Sequence, residues 1–254
     1  MPSETSVFEA AIHTILYIRQ IYPVVLFHQV RKYGSTIWQC RADPVCEYIG
    51  KVASCIEEEL HKGSVRRVFV AVREDTAQGT PLERFVFDID SLLRRQDLPQ
   101  DGADFIPSAG QGIAPADLDD LLRACMVKLN VSSSYLKPIP SGTPLTFAVL
   151  LEVEEGFAAP ASKAAQAGDA PAEWIPAAQR DAMEDDGTGP GRGRIPPRPD
   201  STISPITGVR LGVIGLDLQV EELAEKFMEA ETDPETSGEV RMHPLPDRKG
   251  KGRA

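Results

Sequence analysis

Apolar residues near the start of the chain recur at helical spacing. Between Phe8 and Tyr22 they return every three or four positions and leave only a thin polar stripe. This pattern predicts a core helix that the rest of its domain surrounds. Ser6 and Glu9 have the spacing of a capping box at the start of this helix, and Pro23 is expected to end it.

Two further segments also carry an apolar face at helical spacing. Asp43 and Pro44 predict the start of the second helix, because Asp caps a helix and Pro is tolerated at its first position. Gly63 predicts its end. The third helix is predicted to open at Pro115 and to keep its apolar face to Leu129. We expect it to pack beside the first.

Strand patterns lie between and after these helices. The apolar, β-branched run within 67–73 and the alternating run at 84–89 flank a turn-rich stretch, which predicts an antiparallel hairpin. Strict alternation over 145–154 predicts a strand with one face on the core. The stretch 24–34 is interpreted as an irregular connector. Together the patterns predict an α+β fold with a mostly antiparallel sheet.

The composition changes beyond residue 156. Between Asp185 and Pro205, nine of 21 residues are Gly or Pro, so we interpret 185–202 as a mobile loop. Farther on, the apolar phase shifts by one residue near Gly212–Gly215, which predicts two strands with a bulge or break between them. The predicted organisation is one domain over 1–228, with a segment at 157–207 that contains the loop, returning strands at 208–222, and a disordered tail at 229–254.

Charge and composition exclude several classes of function. The net charge of -11 argues against a surface that binds nucleic acid directly, because phosphate binding needs clustered Lys and Arg. Any action on DNA is expected to go through protein partners. The four cysteines lack CxxC spacing and no leader segment precedes them, so a reduced, intracellular protein is expected. No apolar run reaches the roughly 18 residues that a membrane span needs.

No catalytic or metal-binding pattern stands out. Cys40 and Cys46 have no companion ligand at zinc spacing and are interpreted as small buried residues. His13 and His28 are interpreted as packing or hydrogen-bonded residues. The glycine-rich run 187–194 follows no predicted strand and opens no helix, so it is not a phosphate loop. We therefore predict a protein that is not an enzyme and has no cofactor and no metal site.

A series of motifs carries a resemblance to a known family. They are His13-x-Ile-Leu-Tyr-Ile-Arg-x-x-Tyr-Pro23, Lys32-Tyr33, Tyr48-Ile49, Glu83-Arg-Phe-Val-Phe87, Leu121-Leu-Arg-Ala124 and Leu145-Thr-Phe-x-Val-Leu150. In these motifs and their order the chain resembles the small accessory subunits of DNA polymerase zeta, HORMA-domain proteins of translesion synthesis. The resemblance spans about 8–153 and resumes more weakly at Trp174 and over 203–222.

The resemblance implies a HORMA fold, in which three helices pack on the sheet and a C-terminal safety belt closes over a bound peptide. It also implies a nuclear, non-catalytic adaptor for DNA repair. Such an adaptor clamps a short, Pro-containing peptide of the polymerase catalytic subunit, which adds to the sheet by main-chain pairing. It bridges this subunit to other translesion factors. Basic tails such as the run at 248–254 sometimes act as nuclear-localisation signals, and the sequence leaves the role of this one open.

By the same resemblance, Tyr48 and Trp174 match aromatic positions that contact the trapped peptide. Aromatic faces stack well on proline, which gives these residue types a physical reason to be there. The alternative is that both are half-buried packing residues. Arg123 matches a position at a contact between two HORMA domains, which implies a possible homodimer; the alternative is a solvated charge on an exposed helix face.

A second partner surface is also implied. Ile203, Asp217 and Gln219 match the strand positions that bind the translesion scaffold, a deoxycytidyl transferase, in animal relatives. Asp217 and Gln219 replace an uncharged amide and an aromatic hydroxyl, so the interface is expected to differ from that of the relatives. An alternative function is a HORMA adaptor of the spindle-checkpoint type, which uses the same clamp on a different peptide.

Overall fold

The computed structural model describes residues 6–76, 79–91, 115–140, 142, 144–153, 200–211 and 214–228. The helices are α1 (Val7–Ile18), α2 (Asp43–His61), α3 (Pro115–Val131) and the short α4 (Glu225–Met228). The strands are β1 (Phe27–Lys32), β2 (Ser35–Cys40), β3 (Val65–Glu74), β4 (Pro81–Ser91), β5 (Leu145–Val153), β6 (Thr202–Leu211) and β7 (Ile214–Glu222). Single 3-10 turns span Val24–Leu26 and Ser132–Ser134.

Five strands form one sheet in the order β5-β3-β4-β7-β6, and every pairing between them is antiparallel. The hairpin of β3 and β4 and the strand β5 confirm the sequence prediction, and β5 joins the hairpin beside β3. Strands β1 and β2 form a separate two-stranded sheet. The predicted α+β fold is therefore confirmed.

The core lies between the helices and one face of the five-stranded sheet. Helix α1 is buried along most of its length, as its all-round apolar pattern predicted. Ile12 and Leu16 of this helix share one hydrophobic cluster with Phe85 and Phe87 of β4 and with Leu129 of α3. Helix α3 packs beside α1, as expected. Strand β3 is buried on both faces, which explains its continuous apolar run.

Helix α1 ends four residues earlier than the sequence suggested. Gln20 adopts a left-handed conformation with φ of 53°, and the N–H of Ile21 donates to the carbonyl of Leu16 at 3.1 Å. This is the hydrogen bond of a Schellman motif, which closes the helix before Pro23 is reached. The prediction that Pro23 ends the helix was wrong. The left-handed position that ends it is filled by Gln20 rather than by the usual Gly, so the sequence pattern did not mark the stop. The turn leaves Tyr22 outside the helix.

The stretch interpreted as a connector at 24–34 contains β1 and the start of a hairpin. Tyr33 and Gly34 form its two-residue turn, with φ of 48° and 65°, and Lys32 pairs with Ser35 across it. Positive φ at both turn residues matches the twist of the flanking strands. The interpretation as an irregular connector was wrong, because Tyr in the first turn position hides the usual Asn-Gly or Asp-Gly signal.

The returning strands begin earlier than the predicted 208. Strand β6 already starts at Thr202, inside the predicted segment 157–207, and its bulge lies between Pro205 and Thr207. Pro is tolerated here because β6 is the edge strand of the sheet and needs no full ladder of N–H donors. The predicted break is confirmed between Leu211 and Ile214. Residues 157–199 and the predicted tail lie outside the described residues.

Candidate functional site

Strand β5 offers an open sheet edge. On one side it pairs with β3 along its length, from Leu145 opposite Glu74 to Val153 opposite Val65. Among the described residues, no strand pairs with its other side. An unpaired edge presents a row of N–H and C=O groups to which an extended segment of another chain can add as a further strand. This edge is the candidate binding site.

An aromatic cluster lies beside this edge. Phe147 of β5 makes edge-to-face contacts with Tyr48 of α2 and with Tyr22, at ring-centroid distances of 5.6 and 6.5 Å. Phe147 is half-buried, whereas Tyr48 keeps 47% of its surface exposed. The cluster therefore has an anchored side against the core and an open side. Aromatic faces of this kind suit apolar or proline side chains of a bound segment.

The two phenols of this cluster are uncharged at neutral pH. Burial raises the pKa of the Tyr48 hydroxyl above its usual value of 10.0. The pKa of Tyr22 is raised first by burial and then by the negative fields of Cys40, Tyr48 and Asp75. Both groups therefore remain hydrogen-bond donors across the physiological range, and neither adds charge to the site.

The chain crosses from one edge of the sheet to the other after β5. Strand β5 forms one edge and β6 the opposite edge, and residues 154–199 connect them. The edges are separated by four strand spacings, about 19 Å. Because β7 then pairs with β4, the connecting segment is fastened to the sheet at both ends.

Of the two predicted peptide-binding aromatics, the structure places Tyr48 beside the β5 edge, and Trp174 lies outside the described residues. Tyr22 and Phe147 join Tyr48 in the candidate site, and the sequence reasoning missed them because both were assigned to the core by their periodicity. The available signal was the Tyr22-Pro23 step at the end of the first motif. Phe147 contacts both Tyr22 and Tyr48, and these contacts join residues that are far apart in the chain.

The three residues predicted for a second partner lie on one face of the β6–β7 pair. This face points away from the buried Leu216 and Leu218, and its successive rungs contain Asp217, Gln219 and Ile203. Asp217 pairs with Arg210 of β6 through two contacts at 3.1 and 3.2 Å, which offset its charge. Ile203 is exposed and Gln219 is half-buried. The structure therefore brings these residues together, and their role stays a prediction.

Arg123 lies on the exposed side of α3, next to the β1–β2 turn. Its Nε donates to the carbonyl of Tyr33 at 3.0 Å, and its Nη2 lies 2.9 Å from Asp120. The guanidinium covers Gly34 so closely that a Cβ there would lie 2.8 Å from its nitrogens. Arg123 is thus held in place by the turn, with an exposed side available for contact.

Among the described residues, no group of three or more His, Cys, Asp or Glu is placed to hold a metal ion. His13 is fully buried in α1, and its Nδ1 accepts a hydrogen bond from the Cys40 N–H at 3.4 Å. Burial, with a smaller effect of His28, lowers the pKa of His13 from 6.5 to about 4. No helix in the described ranges is both long and apolar enough to span a membrane.

The fold and its open edge define a HORMA-domain protein. The family model for the HORMA domain matches residues 5–186, well over half of the chain, and the chain therefore belongs to this family. It is 27% identical over 218 residues to the mitotic spindle assembly checkpoint protein MAD2B of Bos taurus, which covers 86% of this chain and 88% of that protein. It is 42% identical over 82 residues to the DNA polymerase zeta processivity subunit of Schizosaccharomyces pombe, which covers 32% and 38% of the two chains.

Solved structures share the fold. A chain of the mitotic checkpoint complex superposes with a TM-score of 0.59 at 18% identity, covering 85% of this chain and 94% of that one. C. elegans HTP-2 bound to a HIM-3 closure motif superposes with a TM-score of 0.51 at 12% identity, covering 85% and 86%. At these identities the likeness concerns the fold, and it confirms the expected HORMA architecture.

Proposed function

We propose that this chain is a non-catalytic adaptor subunit of DNA polymerase zeta, acting in the nucleus. It captures a short, Pro-containing peptide of the catalytic subunit at the β5 edge and encloses it under the connecting segment 154–199. The observation that carries this proposal is the open β5 edge beside Tyr22, Tyr48 and Phe147. Main-chain pairing supplies affinity in such complexes, and side-chain contacts beside the strand supply specificity.

The assignment to this polymerase rests on its relatives. The 42% identity to a protein named DNA polymerase zeta processivity subunit is the highest among the similarities described above, although it covers a third of the chain. We propose that the face of Ile203, Asp217 and Gln219 bridges the complex to the translesion scaffold deoxycytidyl transferase. Because Arg210 is paired with Asp217 there, this partner would meet a neutral, polar surface rather than an acidic one.

A homodimer is the remaining proposed assembly. Arg123, Val127 and Val131 follow one another at four-residue steps on α3, and the two valines are exposed although apolar. An exposed apolar stripe with an Arg at its end suits a contact with a second copy of the same helix face. Helix α3 contacts β6, at the edge of the sheet opposite β5, so we expect peptide capture to persist when the dimer contact is broken.

The alternative function is a spindle-checkpoint-type adaptor. It is favoured by the name of the relative that covers most of the chain, a mitotic spindle assembly checkpoint protein. Both functions use the same edge and the same clamp. They differ in the peptide that is captured, and a binding experiment therefore separates them.

The test is a scan with overlapping peptides. The purified full chain is mixed with labelled peptides tiled across the polymerase catalytic subunit and, in parallel, with peptides from checkpoint proteins. We expect one Pro-containing polymerase peptide to bind tightly and to dissociate slowly, because release requires opening of the enclosure. Its matched control is the same peptide with proline replaced by alanine, which should bind more weakly through loss of the aromatic contacts.

Binding of a checkpoint peptide with no polymerase peptide captured would contradict the polymerase assignment and support the alternative. Failure of both sets would contradict peptide capture itself. A fast, salt-sensitive dissociation from the best peptide would indicate a surface contact instead of an enclosed strand.

A further inference from the structure

Two buried carboxylates face each other where β7 joins β4. Glu83 of β4 and Glu222 of β7 are directly opposite in the antiparallel register. Their side chains are 0% and 3% exposed. Like charges at directly opposite positions destabilise a strand pair, and burial removes the water that would screen them. The pairing of β7 with β4 therefore depends on a cation at this rung.

Lys226 supplies that cation. Its Nζ lies 2.5 Å from Oε1 of Glu83 and 2.5 Å from Oε1 of Glu222, and it donates to the carbonyl of Lys137 at 2.6 Å. All three donors of the ammonium are thus used. Arg19 contributes a second positive charge, with Nη2 at 2.6 Å from Glu83. The two positive and two negative side chains, Arg19, Glu83, Glu222 and Lys226, form what we call the ion cluster.

The ion cluster joins parts of the chain that are far apart in sequence. Arg19 follows α1, and Lys226 belongs to α4, the short helix just after β7. Two hydrogen bonds from backbone N–H groups also hold the end of β7 in place. The N–H of Leu223 donates to the carbonyl of Leu82 at 2.9 Å, and the N–H of Lys137 donates to Glu222 at 3.0 Å. Docking of α4 therefore delivers the charge that the preceding strand needs in order to pair.

We propose that Lys226 is a positioning residue for the pairing of β4 with β7: by neutralising Glu83 and Glu222 it holds β7, and with it β6, against β4. Without the Lys226 charge, the repulsion between the two carboxylates loosens this strand pair. Strand β6 is then loosened as well, because it is joined to the sheet through β7. The consequence for an enclosed peptide rests on the function proposed above; the consequence for the strands does not.

The first test needs no peptide. Hydrogen exchange is measured on the uncomplexed full chain, as wild type and as Lys226→Met, which keeps an unbranched side chain one atom shorter and removes its charge. We expect faster exchange in 202–211 and 214–222, with the protection of β3 retained. The matched control is Arg210→Met, which removes the exposed Arg210–Asp217 pair from the same two strands and should leave their exchange nearly unchanged.

The second test asks whether repulsion is the cause. In the Lys226→Met background, Glu222→Gln removes one of the two opposed charges and should restore most of the protection of β7. The single variant Lys226→Arg keeps the positive charge and should keep the wild-type protection of β7. A residue that only fills space in the core would show no such rescue. If Lys226→Met alone fails to fold, the test is still decisive. The double variant Lys226→Met with Glu222→Gln is then expected to fold.

The third test uses the captured peptide. Dissociation from Lys226→Met should be at least about tenfold faster than from wild type, because weaker pairing of β7 with β4 makes local opening of these strands more frequent. Arg210→Met should release the peptide at the wild-type rate. If wild type captures no peptide, the proposed function fails and the exchange result still stands. Uniform acceleration of exchange across β3 and β7, or no rescue by Glu222→Gln, would overturn the role of Lys226.

Discussion

Tyr48 combines an anchored side with an open one. Its ring contacts Phe147 at 5.6 Å, and 47% of its surface remains exposed beside the β5 edge. If this open face is covered by a bound peptide, Tyr48→Ala should weaken peptide capture by about 1–3 kcal/mol, the range of an aromatic anchor at an interface. Isothermal titration or polarisation with the captured peptide measures this loss.

Tyr135 provides the matched control for that prediction. It is exposed to 48%, almost as much as Tyr48, but it follows α3 and takes no part in the aromatic cluster. Tyr135→Ala should therefore leave peptide affinity within a few tenths of a kcal/mol of wild type. Equal losses in both variants would return Tyr48 to the class of packing residues.

At the scale of the element, α3 has two different faces. Leu129 and Cys125 are buried against α1, whereas Val127 and Val131 form the exposed stripe with Arg123. Val127→Glu should raise the dissociation constant of a homodimer by at least about tenfold, because a carboxylate is costly to bury in an apolar contact. Sedimentation velocity across a concentration series measures this dissociation constant.

The control for α3 carries the same new charge on another helix. Ser54→Glu lies on the exposed face of α2 and should leave self-association unchanged. Peptide capture should be intact in both variants, because the stripe is separate from the β5 edge. A Val127→Glu protein that associates as wild type does would contradict the dimer contact at α3.

Elements with a sustained period were predictable from the sequence, and elements fixed by one unusual residue were not. The three long helices and β3, β4 and β5 follow from spacing alone, because many positions repeat the same signal. The end of α1 and the turn between β1 and β2 each depend on one non-glycine residue with positive φ, Gln20 and Tyr33. Nothing in the local pattern marks these two residues, since L-residues rarely adopt that conformation.

At the scale of the whole molecule, the fold keeps one histidine uncharged. His13 is fully buried, and its pKa is lowered from 6.5 to about 4, chiefly by burial. The unfolded chain therefore binds the proton more readily than the folded one. The resulting stability is fully present above pH 6.5 and is lost as the pH falls from 6.5 towards 4, by on the order of 3 kcal/mol.

Denaturant unfolding at a series of pH values checks this dependence. His13→Gln, which remains neutral, should lose less stability than wild type over the same interval. His61→Gln removes an exposed histidine from the end of α2 and should follow the wild-type profile. A His13→Gln profile parallel to that of wild type would show that other groups carry the acid sensitivity.

The candidate site was less predictable than the fold, for a reason that belongs to the whole molecule. Tyr48 was identified only through the family resemblance. Tyr22 and Phe147 were assigned to the core, because the contacts that bring them beside Tyr48 join the turn after α1, the first turns of α2 and a strand about a hundred residues later. The ion cluster was missed likewise: Glu83 and Lys226 are separated by 143 positions.

The two edges of the sheet differ in how readily a further strand can pair with them. On β6, Pro205 and the adjacent bulge interrupt the row of donors, so that another strand cannot add easily. Strand β5 carries no proline and, in the described part of the chain, no covering strand. An edge of this kind adds to any extended chain that reaches it, including the same edge of another molecule. A peptide paired with this edge, as proposed above, would also block such addition, so we expect the chain to aggregate less when it is produced together with that peptide.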